Sequence, residues 1–377
     1  MIIGVPKEVK EGEWRVSLVP GGVRRLVREG HRVWIEEGAG ADAGFADSEY
    51  AGAGAEVVAR ERVWEADIVV KVKEPQVEEL SYLKRGQLLL AYLHLAASPE
   101  LAIELMKAGV VAIGYETVET DAGELPLLVP MSEVAGRLAV QIGAGLLQRD
   151  KGGNGILLSG LAGVEPGRVT IIGCGVVGRN AAWVARALGA QVTVLDVVVE
   201  KLRMFAERAG EMVRTLVADE CAVGEAVAES DLVIGAVLVP GGRSPKVITK
   251  QMVEAMKPGS VIIDVSIDQG GCAETSRPTS HAKATYELGG VIHYCVPNIP
   301  SLVARTSSLA LTAAVLPYVS KIAWVGWRTA VREDRRLARG VNVCRGRLTH
   351  RRIAEELGLP WSDVLQVIEG REGANDY

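Results

Sequence analysis

Three nitrogen-bearing side chains stand just beyond short, strand-like runs in the first third of the chain: Arg15 after residues 2–5, Lys73 after 68–72 and His94 after 88–93. Arginine offers a planar fork for a carboxylate, lysine a point charge for a carboxylate or carbonyl oxygen, and histidine a proton carrier near pH 7. Together they describe a site for a 2-oxo or 2-amino acid. Taken singly, each has a structural alternative: a solvated strand-end lysine, a surface ion pair in Glu13-Trp14-Arg15, or a histidine bonded to a backbone carbonyl.

A second constellation lies mid-chain, where Val169-Thr170-Ile171-Ile172 leads into Gly173-Cys174-Gly175-Val176-Val177-Gly178 and then a helical pattern. A strand entering G-x-G-x-x-G is the arrangement that binds a dinucleotide. Gly173 permits the tight turn, Gly175 lets backbone N–H groups approach a pyrophosphate, and Gly178 lets the helix close on the strand. Asp196, which ends the following strand, is spaced to accept both ribose hydroxyls of adenosine and to repel a 2′-phosphate, so NAD is expected over NADP. Lys201 and Arg203 follow it, on what reads as a solvated helix start. Later strand ends at Val237 and Leu238, and at Val265, Ser266, Ile267 and Asp268, open onto the same crevice, which makes Asp268 a candidate near the nicotinamide, or alternatively a turn cap.

These residues need elements to hold them. Strand-like runs at 2–5, 33–36, 68–72, 88–93 and 110–115 alternate with helical patterns at 21–29 and 99–108, the second capped by Ser98 with Pro99 in its first turn. A second series follows the Gly152-Gly153-Asn154-Gly155 turn, with runs at 169–172, 191–195, 232–237, 261–265 and 291–294. The alternation predicts parallel β-α units, hence an α/β fold of two Rossmann-like, doubly wound domains with a cleft between them. A helix over 131–148 bridges them. The tail from 305 reads as mostly helical, and residues 309–319 are apolar enough to return to the first domain. The expected division is a discontinuous substrate domain, 1–128 plus 306–377, and a dinucleotide-binding domain, 129–305.

Composition narrows the class further. The 377 residues suit about two domains, and 48% apolar and 24% charged residues are those of a folded globular protein rather than a disordered one. A net charge of −5 gives no electrostatic reason to expect nucleic acid or an anionic membrane as partner. Five scattered cysteines without a C-x-x-C pair fit free thiols in a reducing cytoplasm rather than disulfides or a metal site. No signal peptide or membrane span is expected. His31, His281, His293 and His350 read as structural. Ten Lys and Arg against four carboxylates over 321–360, with Gly358 between two helical patterns, resemble a DNA-binding helix-turn-helix, the reading from a different class.

The motif blocks also resemble the alanine dehydrogenase family, which is related to the soluble NAD-binding part of proton-translocating transhydrogenases. They are Gly4-Val5-Pro6-Lys7-Glu8, Lys71-Val72-Lys73-Glu74-Pro75, Tyr92-Leu93-His94-Leu95-Ala96, Tyr115-Glu116-Thr117, Pro130 to Arg137, Asp268-Gln269-Gly270-Gly271-Cys272, Ser276-Arg277-Pro278-Thr279 and His293-Tyr294-Cys295-Val296. The resemblance implies NAD-dependent interconversion of L-alanine with pyruvate and ammonia by a cytoplasmic homohexamer. It implies that Arg15 and Lys73 bind substrate, that Tyr92 and Met131 wall its pocket, and that His94 and Asp268 are catalytic. Ser132, Val176, Asp196, Lys201, Arg277, Val296 and Asn298 join Val177 and the glycines at the cofactor. No metal is implied, since Val325 stands where a histidine partner to Glu116 could lie. The chain departs from the family pattern at Gly12, Cys174, Ala218, Pro297 and Ala313. A transhydrogenase subunit and a saccharopine dehydrogenase-like enzyme are the rival readings within the same architecture.

Overall fold

A computed structural model describes all residues except 210–212, 238, 240–241 and 371–377. The chain divides into two compact units, one of Met1–Met131 with Ser301–Tyr377, the other of Ser132–Val239 with Arg243–Pro300.

In the first unit, β1 (Ile2–Val5), β2 (Arg32–Glu36), β3 (Glu56–Val58), β4 (Ile68–Lys73), β5 (Leu88–Tyr92) and β6 (Val111–Gly114) form a parallel sheet in the order 3-2-1-4-5-6. Apart from the exposed edge strand β3, the strands are short, apolar and largely buried on both faces, as a parallel sheet covered by helices requires. Helices such as Pro20–Arg28, which buries Val23 and Leu26, and Pro99–Ala108, which buries Leu101 and Leu105, cover it. Ser98 holds the cap position of the second without a side-chain hydrogen bond, and Pro99 starts that helix. The order reverses between β1 and β4, where chain ends diverge and a crevice opens beyond the strands.

The second unit repeats the plan. Strands β7 (Arg168–Ile172), β8 (Gln191–Asp196), β9 (Val213–Val217), β10 (Leu232–Gly235), β11 (Val261–Asp264) and β13 (Val291–Tyr294) run parallel in the order 9-8-7-10-11-13, with β12 (Thr285–Leu288) antiparallel at the edge. The reversal here falls between β7 and β10. Val169, Ile171, Val194, Ile234 and Ile263 form its core with Ala181 and Ala185 of the helix Val176–Ala187.

The tail differs from a purely helical reading. After the helix Ala304–Val325, the strands β14 (Val341–Cys344) and β15 (Arg347–Leu348) form a hairpin, and β14 joins β6 antiparallel. The turn residues Arg345 and Gly346 both have positive φ, the geometry of a two-residue hairpin loop, and a four-residue strand between arginine-rich flanks carries too little periodicity to stand out. The short β3, β9 and β12 went unread for the same reason. Helices Arg351–Leu357 and Val364–Glu369 do occur, yet they are short and bury Ile353, Ala354, Val364, Val367 and Ile368 inside this unit's clusters.

The stretch Ile299–Val325 is long and apolar enough to cross a membrane by length and composition. Its Leu311, Val315, Val319 and Ile322 are fully buried in the core of the first unit. The same element fixes the segment that carries Arg15: Trp14 N donates to Ser301 Oγ (2.8 Å), Val16 N to Ser308 Oγ (2.9 Å) and Val19 N to Thr312 Oγ1 (3.0 Å). Leu311→Ala is therefore expected to destabilise the first unit by about 2–5 kcal/mol, read as a lower urea midpoint.

Candidate active site

The carboxyl end of the first sheet collects the cationic side chains. Arg15 is 3% exposed and forms a two-pronged pair with Glu13, Nε to Oε1 at 2.7 Å and Nη2 to Oε2 at 2.6 Å. Its remaining Nη1 donates to Met131 Sδ at 3.1 Å. Burial opposes ionisation of Glu13, but the charge and hydrogen bonds of Arg15 outweigh it and hold the carboxyl below its usual range. The Glu13-Trp14-Arg15 ion pair exists, then, but in the interior rather than at the surface.

Lys73 ends β4 and is 4% exposed, and its ammonium forms no ion pair among the described residues. Glu8 grips the strand beneath it, accepting from Val72 N at 2.6 Å and Lys73 N at 3.3 Å. Lys71, wholly buried, is held between Glu79 (2.6 Å) and Glu8 (3.3 Å). Burial pushes the Glu8 carboxyl up to about 7 against the pull of Lys71. Glu74, ion-paired with Lys10, has the opposite balance: burial opposes its ionisation, and Lys73, Lys10 and His94 together bring its carboxyl below the usual range.

Tyr92 and His94 complete this cluster. The Tyr92 hydroxyl donates to Leu127 O at 2.6 Å, and burial pushes that phenol well above its ordinary value. Its ring stacks on the His94 imidazole at 6.2 Å and 16°. His94 is half-buried, with its backbone N donating to Glu116 Oε1 at 2.7 Å. Arg15, Lys73, Tyr92, His94 and Met131 thus meet within one unit. Gly12, where the family commonly has Asn, has φ +74°, a conformation both residue types tolerate.

In the second unit the glycine loop is sterically determined. A Cβ on Gly173, whose φ is +107°, would lie 2.3 Å from Ala236 O, and one on Gly178 would lie 1.7 Å from Gly173 O. At Gly175 a Cβ would meet nothing within 4 Å, so open space faces the start of the helix Val176–Ala187. That combination fits a pyrophosphate on a helix N-terminus. Asp196 accepts from Cys174 N (2.7 Å) and Val198 N (2.8 Å), so its carboxylate also ties the loop to β8, with a second lone pair on each oxygen. Burial and Asp196 push the Cys174 thiol up to about 11, which makes it an inert packing residue. Lys201 sits exposed on the helix Val199–Ala209.

Strand β10 ends at Gly235, so Val237 lies in the loop beyond it, donating from its backbone N to Ser266 Oγ at 2.9 Å. Leu238 lies outside the described residues. Val265, Ile267 and Asp268 share the single-turn helix Val265–Gln269, on which Asp268 is exposed. The turn's cap is Asp264 instead, whose buried carboxylate accepts from Ser266, Cys272 and Ala273 N. Ser132 and Val177 are half-buried, and the close approach of Gly136, whose Cβ would lie 2.2 Å from Val177 O, packs their helices together. Asn298 has φ +72°, and Arg277 lies exposed over the Tyr286 ring at 4.3 Å. Val296 is 1% exposed within the core, so only its backbone can meet a ligand. His293 is buried and bonded to Thr275, and His350 caps the helix Arg351–Leu357.

Sequence reasoning gave no supporting role to Glu8, Glu74 and Asp264, and read Glu13 only as a surface ion-pair partner and Glu116 only as a possible metal ligand. The usable signal was a buried-strand lysine or arginine needing a counter-charge, with Glu13 two residues from Arg15 and Glu74 next to Lys73 along the chain.

A glycine-loop sheet in one unit and a cationic cluster on a matching sheet in the other define a two-unit dinucleotide-binding protein of the Rossmann type. The chain belongs to the alanine dehydrogenase/PNT family, since residues 4–135 match its N-terminal domain and 139–351 its C-terminal domain. It is 51% identical to the alanine dehydrogenase of Halomonas elongata, over 98% of this chain and 100% of that one, and 51% identical to that of Bacillus subtilis, over 98% of each. Among solved structures it resembles an L-alanine dehydrogenase, with a TM-score of 0.91 and 51% identity over 95% of this chain and 99% of that one. A transhydrogenase from Sinorhizobium meliloti matches with a TM-score of 0.79 and 26% identity over 93% and 99% of the two chains. Family membership implies a nicotinamide nucleotide cofactor.

Two outcomes follow from the geometry. Gly178→Ala forces the loop and helix apart, so dinucleotide affinity measured by calorimetry should fall roughly 100-fold or more. Glu8 binds its proton more tightly folded than unfolded, so its contribution is present below about pH 4.5 and is lost as pH rises to about 7. The stability of the wild type relative to Glu8→Gln, from urea titrations, should therefore decline across that window and level off above it.

Proposed function

We propose that this chain catalyses the NAD-dependent oxidative deamination of L-alanine to pyruvate and ammonia, and the reverse reductive amination. The observation that carries the reading is the buried Lys73 ammonium, within the field of Glu74 and Glu13 but without a direct ion pair among the described residues, in one cluster with Arg15 and His94. A buried cation calls for an anion, and the carboxylate of a small amino acid supplies one. The 51% identity to two alanine dehydrogenases over nearly the whole chain, against 26% for the transhydrogenase, favours this reaction over the transhydrogenase reading.

In this reading the first unit holds the amino acid and the second the dinucleotide. Arg15, aimed by Glu13, and Lys73 clamp the substrate carboxylate, so that the Cα–H bond has one orientation and the hydride step becomes an oriented one. Met131 and Tyr92 wall the methyl group. The nicotinamide, when bound, supplies the hydride acceptor. Neutral His94 takes the proton from the water that adds to the resulting iminium carbon, and its conjugate acid returns a proton in the amination direction. Asp268 offsets the positive charge on the iminium nitrogen. Asp196 meets the adenosine ribose, which favours NAD over NADP. Ser132, Val176, Val177, Lys201, Val237, Val265, Ile267, Arg277, Val296 and Asn298 supply the remaining cofactor contacts. A cytoplasmic homohexamer belongs to the same reading, and light scattering measures it.

The deciding assay is NADH formation at 340 nm with L-alanine, run beside serine, saccharopine and NADP. Alanine with NAD should give the highest kcat/KM. His94→Asn should lower kcat by about 100-fold or more, and unchanged turnover in that variant would remove His94 from the mechanism.

A further inference from the structure

His94 carries a strained backbone. Its φ is +47°, one of three positive values at non-glycine residues among the described residues. A residue with a β-carbon stays in that region only where its surroundings hold it there. Here a carboxylate holds the N–H side, while the carbonyl of His94 accepts from Ala97 N at 3.0 Å. Glu116 Oε1 accepts from His94 N at 2.7 Å, and both Glu116 oxygens accept from Leu93 N at 3.2 Å. Two successive backbone N–H groups turned toward one anion form a concave nest, and the Glu116 side chain fills it.

Glu116 is itself fixed. It lies in the turn Tyr115–Thr117 directly after β6, between the fully buried Tyr115 and the buried Thr117. Thr117 Oγ1 donates to Asn342 Oδ1 of β14 at 2.7 Å, and a Cβ on Gly114 would lie 2.4 Å from Asn342 Nδ2. The tail hairpin therefore anchors the turn that aims the carboxylate. On the other side, the imidazole lies against Tyr92, whose hydroxyl is pinned to Leu127 O. Backbone and ring are restrained independently, which leaves the imidazole little freedom of direction.

We propose that Glu116 is a positioning residue for His94: its carboxylate, bonded to the N–H groups of residues 93 and 94, holds His94 in the left-handed conformation that points the imidazole at the substrate. The proposal rests on His94 being the proton carrier of the reaction above. Without the anion, the Leu93 and His94 N–H groups lose their acceptor, the turn relaxes toward negative φ, and the ring swings off its line.

The test is a double-mutant cycle on the full chain. Glu116→Gln replaces one acceptor oxygen by a donor, and Glu116→Asp keeps the charge but withdraws it by one methylene. Each should lower kcat for alanine oxidation about 10- to 100-fold, with KM for alanine and for NAD changed less than about twofold. In a His94→Asn background, Glu116→Gln should cost less than a further twofold. Retention of kcat in both Glu116 variants would overturn the proposal, as would an equal loss with and without His94, since Glu116 would then act elsewhere. Should the Gln variant lack a cooperative thermal transition, the Asp variant carries the cycle. His94→Asn alone keeping wild-type turnover is a separate outcome: it overturns the assignment of His94, and the role of Glu116 with it.

Discussion

Burying positive charge is the constraint on which the first unit is built. Arg15, Lys71 and Lys73 all lie within the protein at 4% exposure or less, where an uncompensated cation is prohibitively costly. Two of them have carboxylates of their own: Glu13 grips Arg15 with two hydrogen bonds, and Glu8 with Glu79 encloses Lys71. Lys73 is the exception: it has no ion pair among the described residues, although Glu74 and Glu13 lie near enough to feel its charge. The same carboxylates do structural work, because Glu8 also fixes the backbone of Val72 and Lys73. Charge compensation and strand positioning are one interaction here, so neither can be lost without the other.

The sheets supply the frame. Both units share the strand order that reverses beside their first strand, and both place their chemistry beyond the strand ends at that reversal. In the first unit, Arg15 follows β1 and Lys73 ends β4; in the second, the glycine loop follows β7 and Val237 follows β10. The candidate residues of the two units thus occupy equivalent places in repeated architecture. What differs is the chain after the first strand. Unit two turns tightly through Gly173 and leaves a helix start open, whereas unit one runs a non-helical segment, 13–19, tied to the Ser301, Ser308 and Thr312 hydroxyls and also to Val70 and Tyr50.

Much of this was legible along the chain. Strands at 2–5 and 291–294 have the bounds read from sequence, and most of the others agree within a residue or two, because parallel strands buried on both faces are continuous β-branched runs. The glycine loop was legible because its steric demands are local: Gly173 and Gly178 contact residues of their own strand-turn-helix or its neighbour. The shortest strands were not. β3, β12 and β14 are three or four residues long, and their partners, rather than their own periodicity, make them strands.

By itself the sequence determined which side chains could do chemistry and the α/β alternation that brings Arg15, Lys73 and His94 to strand ends, since residue type and hydrophobic period are local properties. Only the tertiary structure decided what holds them. Glu116 reaches back to His94 from the next strand, Asp264 rather than Asp268 caps the turn after β11, and a helix near residue 310 orders the segment carrying Arg15. Glu116 lies 22 positions from His94 and Thr312 nearly 300 from Val19, while Asp264 caps Ser266 two positions on and also reaches Cys272 and Ala273. Hydrogen bonds at such separations follow from packing, which no local pattern encodes.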